Sequence, residues 1–203
     1  MEVGIMKSKA IKKTFFHHTF KAYLFTSFLG VLGGLLVAFF SQFPHDDLWG
    51  LALFSSMTFG FWMCTCALMA LFSSKNYVSG LHVALYVYFM FYITGIFKRL
   101  AVVRLGYNTM SYFYNGFWQE LAYGIPAAVG CFGLAFVLWY GRGSKPLSVV
   151  LRFLPLVLIF AEAAVLIIKV FTVRQGLLMS IIDTVCALVY AWIVLRYAKD
   201  TGT

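Results

Sequence analysis

The sequence predicts an all-α integral membrane protein: six transmembrane helices in a compact bundle, with both termini cytoplasmic. Three observations predict it. Of 203 residues, 62% are hydrophobic and only 11% charged, with a mean hydropathy of +0.87. A soluble domain carries about 25% charged residues, so this chain cannot cover a water-facing surface. The apolar residues fall into six runs, each near the ~20 residues that cross a bilayer core. The sixteen lysines and arginines gather at the ends of those runs. Backbone polar groups must be satisfied within lipid, which makes the runs helices. A β-barrel would alternate apolar and polar residues, and no such alternation occurs.

Residues 1–21 form a basic leader with Lys7, Lys9, Lys12, Lys13 and Lys21. It reads as an amphipathic helix on the anionic inner leaflet. No small-residue cleavage site follows it, so the first helix is expected to be retained. A single domain then covers residues 22–197, with spans at about 22–43, 48–72, 78–97, 117–140, 147–170 and 177–197. Pro44-His45-Asp46-Asp47 ends the first span, and Ser73-Ser74-Lys75-Asn76 separates the second from the third. Gly141-Arg142-Gly143-Ser144-Lys145-Pro146 separates the fourth from the fifth, Arg174-Gln175-Gly176 the last pair, and residues 198–203 form a short tail.

Orientation follows from Lys and Arg. A cytoplasmic N-terminus places eleven inside: the five of the leader, Lys75, Arg142, Lys145, Arg152, Arg196 and Lys199. Five fall outside: Lys98, Arg99, Arg104, Lys169 and Arg174. The expected location is the bacterial cytoplasmic membrane. Arg152 is expected to snorkel to its interface.

Candidate function concentrates in the outer half. Glu162 in the fifth span and Asp183 in the sixth are carboxylates at bilayer depth, and Glu120 lies near the start of the fourth. Such groups cost several kcal/mol and by default face the bundle interior with a partner. The longest connection, 98–116, is apolar and aromatic apart from its charges. It reads as an interfacial aromatic belt, or as a lid with Gly106 and Gly116 as bends, capping a pocket among the helices. The tentative substrate-binding set is Glu120, Glu162, Asp183, Arg99, Arg104, Tyr107, Tyr112 and Trp118. The alternative role for Glu162 and Asp183 is ion pairing with Lys169, Arg174 or the arginines of 98–116.

No cofactor is expected, no catalytic residue is assigned, and no metal. Cys64, Cys66, Cys131 and Cys186 lie in apolar runs, where cysteine behaves as a small hydrophobe. The net charge of +9 is topogenic, so nucleic acid is not an expected partner. Gly141-x-Gly143-Ser144-Lys145 lacks the spacing of a phosphate loop, so active transport would need an ion gradient or a motor partner. Gly30, Gly34, Gly130 and Gly133 offer smooth faces for helix packing or for docking a larger membrane complex or motor subunits; His82 is expected to bond a neighbour.

Three functions fit: binding or transport of a small molecule in the outer-half pocket, an accessory subunit of a larger complex, or an intramembrane enzyme using Glu162 and Asp183. Six helices in about 200 residues without a motor also resemble the substrate-binding components of energy-coupling-factor vitamin transporters, by size and topology alone. The A-x-x-x-A docking motif of that family is not found in the first helix.

Overall fold

A computed structural model describes residues 10–43, 48–51, 59–106 and 108–199, with side chains described to Tyr197. The described residues form α1 (Phe20–Phe40), α2 (Phe59–Leu71), α3 (Asn76–Arg104), α4 (Met110–Leu138), α5 (Pro146–Val173) and α6 (Leu177–Lys199), with a 3-10 turn, Trp139–Arg142, before α5. Five helices are long and apolar enough to cross a membrane, and α2 is a shorter apolar helix. Large side chains cover the outside, such as Phe20, Leu134, Leu147 and Phe171, the last 83% exposed. That surface is stable only against lipid. The protein is a multi-pass helical membrane bundle.

Local chemistry sets several helix ends. Thr19 caps α1, its Oγ1 accepting from the Ala22 N–H at 3.3 Å. Pro146 opens α5, where its missing N–H costs nothing. Arg174 and Gly176, both at positive φ, turn the chain from α5 into α6. The helices run up and down between two ends. Residues 10–19 and the starts of α3 and α5 share one end, with the ends of α2 and α6; Phe15, Phe72 and Tyr197 meet there as an aromatic trio. The α3–α4 and α5–α6 turns share the other end. Hairpins α3–α4 and α5–α6 both pack on α2, and α1 packs along α3. Cys64, Ala67 and Leu71 of α2 meet Ile159, Ala187 and Tyr190 on one side, while Met69 and Ala70 meet Val83, Tyr86 and Ala135 on the other. This short helix is the axle of the bundle.

Four expectations change. The segment 98–116 is not a loop. Lys98 to Arg104 continue α3 and α4 begins at Met110, with Gly106 at φ +77° among the described residues between them. The segment therefore cannot act as a lid. Lysine, arginine, leucine and alanine are good helix formers, and a 29-residue helix is about 43 Å long. Both helices overshoot the hydrocarbon core, which places these charges where water can reach them. Gly116 sits inside α4 rather than at a bend.

The second span also begins later than expected. Residues 48–50 are not helical, Gly50 having φ 59°. Instead, the carbonyls of Leu48 and Trp49 accept the first N–H groups of α6, from Leu177 and Leu178. A helix start needs such acceptors. Residues 52–58 lie outside the described residues, as do the first nine residues of the leader and the four that follow Phe43.

The described leader is extended rather than an amphipathic helix. Phe15 and Phe16 donate backbone N–H groups to the Phe72 carbonyl, and Ser74 donates to Phe16. Arg142 fastens it, Nε reaching the Ile11 carbonyl at 3.2 Å and Nη2 those of Lys12 and Lys13. The leader thus lies as a strap across the α2–α3 connection.

Arg152, finally, does not snorkel. It is fully buried and donates to the carbonyls of Gly141 at 2.9 Å and Gly143 at 2.6 Å. These carbonyls end the 3-10 turn after α4, where a helix end is negative.

Gly30 and Gly34 are packed against α3 within the molecule. A Cβ on Gly34 would stand 2.7 Å from the Met90 carbonyl oxygen and 2.9 Å from Ile93 Cβ. A Cβ on Gly130 or Gly133 would meet nothing within 4 Å beyond the neighbouring backbone of its own helix. Gly34→Leu is therefore expected to force α1 from α3 and cost about 1–3 kcal/mol, the usual penalty of overpacking. Gly133→Leu should leave thermal unfolding in detergent unchanged. Equal effects from the two substitutions would contradict this packing.

Candidate functional site at the start of α2

The inward stripe of α6 is Met179, Asp183, Ala187, Tyr190 and Val194, all 0% exposed. Their spacing of three or four residues is that of one helix face. Asp183 is the one acid in that stripe, so the fold carries a carboxylate where periodicity calls for an apolar group. It lies against Gly60 of α2: a Cβ on Gly60 would stand 2.5 Å from Asp183 Oδ1 and 2.6 Å from Cγ. Only a hydrogen at position 60 leaves room for the acid.

Glu162 of α5 faces the same spot. It is half-buried, and its carboxyl and that of Asp183 act directly on one another. The backbone N–H groups of Phe59 and Gly60 are directed at Glu162, and that of Phe61 at Asp183. These residues belong to the first described turn of α2. Even so, Glu162 Oε2 and both oxygens of Asp183 are buried without a hydrogen-bond partner among the described residues. Two carboxylates can only accept, so facing one another satisfies neither.

The site sits deep. Asp183 is the seventh residue of α6, which places it about 9 Å below the α5–α6 turn. On the other side, α2 spans the thirteen residues Phe59–Leu71, about 20 Å of helix. The pair therefore lies inside the bundle, nearer the hairpin end. Its surroundings are apolar, with Cys64 and Cys186 linked one turn away by an Sγ-to-carbonyl contact of 3.6 Å.

Glu120 is not part of this cluster. Arg99 Nε donates to Glu120 Oε1 at 2.8 Å, and Arg99 Nη2 to Gln119 Oε1 at 3.2 Å. The pair is braced reciprocally: Glu120 lies over Gly95 of α3, and Arg99 lies over Gly116 of α4. Tyr112 stands 4.9 Å from the Arg99 guanidinium. This is a clamp between α3 and α4, so Arg99 does not neutralise Glu162 or Asp183.

The remaining candidates scatter. Trp118 is 69% exposed on α4, and Arg104 is exposed in the last turn of α3. Tyr107 lies outside the described residues. The single outer pocket expected from sequence is thus two separate places. Two open grooves lie elsewhere, one along Tyr88 and Phe132 between α3 and α4, the other beside Ile11, Trp139 and Ser148. His82 meets its expectation: it is buried, bonded to Thr26 Oγ1 at 3.1 Å and the His17 carbonyl at 3.2 Å, and stacked on Tyr23.

Sequence reasoning missed Gly60, whose role shows only when α6 is laid against it, and the backbone carbonyls held by Arg142 and by the buried Arg152. No group of three or more metal-ligating side chains occurs among the described residues. The chain matches no protein-family model, no curated protein and no solved structure.

Proposed function

We propose that this membrane protein binds a small cationic molecule within the bilayer and carries it across, with Glu162 and Asp183 as the binding groups. The observation that carries the reading is the fully buried Asp183 carboxylate, which faces a second acid and has no hydrogen-bond partner among the described residues. A structural ion pair would hold a cation against it, since buried charge is costly unless paired. Arg99, at the hairpin end, is engaged by Glu120 instead. A pair of acids held in apolar surroundings favours a cation whose own charge completes the site. Such intramembrane acids commonly mark a transport path.

The test is uptake by proteoliposomes. Methylammonium, guanidinium and tetraethylammonium, each radiolabelled, are offered to wild type and to Glu162→Gln and Asp183→Asn. At least one cation is expected to accumulate at a rate ten or more times that of empty liposomes, and both substitutions should reduce it to the empty-liposome rate. Uptake unchanged in both variants would remove the pair from the path.

One observation favours a second reading. The α4 face with Gly130 and Gly133 is uncovered, and its neighbours Val129 and Leu134 are 65% and 70% exposed. A smooth face of this kind lets another helix approach closely. A stoichiometric protein partner retained in mild detergent would support an accessory role.

A further inference from the structure

We infer that Glu162 and Asp183 hold one exchangeable proton between them, making the pair a proton site as well as a cation site. This deepens the assignment above and rests on the pair being the site, but not on transport taking place.

The geometry points to it in three steps. First, the two carboxyl groups face one another, and three of their four oxygens accept no hydrogen bond among the described residues. Two ionised acids repel and cannot bond; with one proton between them, one becomes a donor and the contact becomes a hydrogen bond. Second, the charge that remains has a counterpart: the N–H groups of Phe59, Gly60 and Phe61 are directed at the pair, and such donors favour an ionised carboxylate. Third, Asp183 already lies against Gly60, so it cannot move further toward α2 to relieve repulsion.

Among the described residues, no other group placed near the pair supplies the missing charge. From α6 comes Cys186 and from α2 Cys64, which are engaged with one another. From α1 come only apolar groups, Val37 and Phe40, through their packing on Met179 and Ile182. On α5, Lys169 stands two turns beyond Glu162, about 10 Å along the helix, and has interactions of its own. Binding a monovalent cation between the acids would break the shared O–H bond, leave its electron pair on oxygen and release one proton to the solvent. Cation entry and proton exit would then be two sides of one exchange.

The test is infrared spectroscopy of the purified protein at pH 7, comparing wild type, Glu162→Gln and Asp183→Asn after proton–deuterium exchange. Wild type is expected to show the carbonyl stretch of a protonated carboxyl group. Either substitution should remove it, because the remaining acid then faces an amide donor and the α2 N–H groups and stays ionised. Circular dichroism and size exclusion establish that each variant is folded, and the two isosteric substitutions are independent of one another. Absence of the stretch in wild type, or its persistence in both variants, overturns the inference. If the stretch behaves as expected while no cation is taken up, the proton site stands and the transport reading fails.

Discussion

Asp183→Asn is expected to make the protein more stable while abolishing cation uptake. An isosteric amide keeps the shape that fits against Gly60, removes a buried acid with two unpartnered oxygens and adds a donor that can reach Glu162. A buried polar group without its partner costs about 1–3 kcal/mol by protein mutational measures, and the substitution should recover that amount once the pair has lost its shared proton. The gain should also depend on pH. If the folded protein holds a proton on the pair that the unfolded chain releases, the folded state binds more protons. Its stability then falls as pH rises. Wild-type unfolding temperature in detergent should accordingly decline as the medium becomes alkaline, while the Asp183→Asn curve stays flat. A destabilised variant with the wild-type pH profile would mean that Asp183 has a partner and a structural role.

Arg152→Ala is expected to produce the opposite, a large loss of stability at every pH. Its guanidinium makes hydrogen bonds of 2.9 and 2.6 Å to Gly141 and Gly143 from a fully buried position. Its own carbonyl accepts from Tyr190 Oη at 2.8 Å. Hydrogen bonds to a charged group contribute about 1.5–3 kcal/mol each, and the carbonyls left behind would be buried and unpaired. A loss of about 3–5 kcal/mol follows from removing one member of such an arrangement. Arg152→Lys should rescue little, because one ammonium cannot serve both carbonyls as the planar fork does. Thermal unfolding within a degree of wild type for either variant would show that the guanidinium is dispensable.

The two residues illustrate what the sequence could and could not convey. Asp183 was visible as an anomaly because charge inside an apolar run stands out against a uniform background. Five of the six apolar runs coincide with long helices, since hydropathy over twenty residues is all that bilayer depth requires. Helix ends beyond the bilayer were not legible. The stretch from Lys98 to Arg104 read as loop because its charges break the hydropathy, whereas charge does not oppose helix once the chain has left the lipid. Arg152 was read at the surface because composition cannot say that two carbonyls lie within its reach. The relation of Gly60 to Asp183 spans two helices over a hundred residues apart, and no pattern local to either reports it. The expected union of Glu120 with Glu162 and Asp183 failed for a related reason. The sequence puts all three in the outer half, but α3–α4 and α5–α6 pack on α2 rather than gathering around one pocket.

The central claim is that the pair at the start of α2 is a ligand site. Native mass spectrometry of mildly solubilised protein, with the same three organic cations present, tests it most directly. The account predicts a wild-type peak carrying one cation and a bare peak for the Glu162→Gln, Asp183→Asn double variant. A wild type that never retains a cation, or a double variant that retains it equally, would contradict the account.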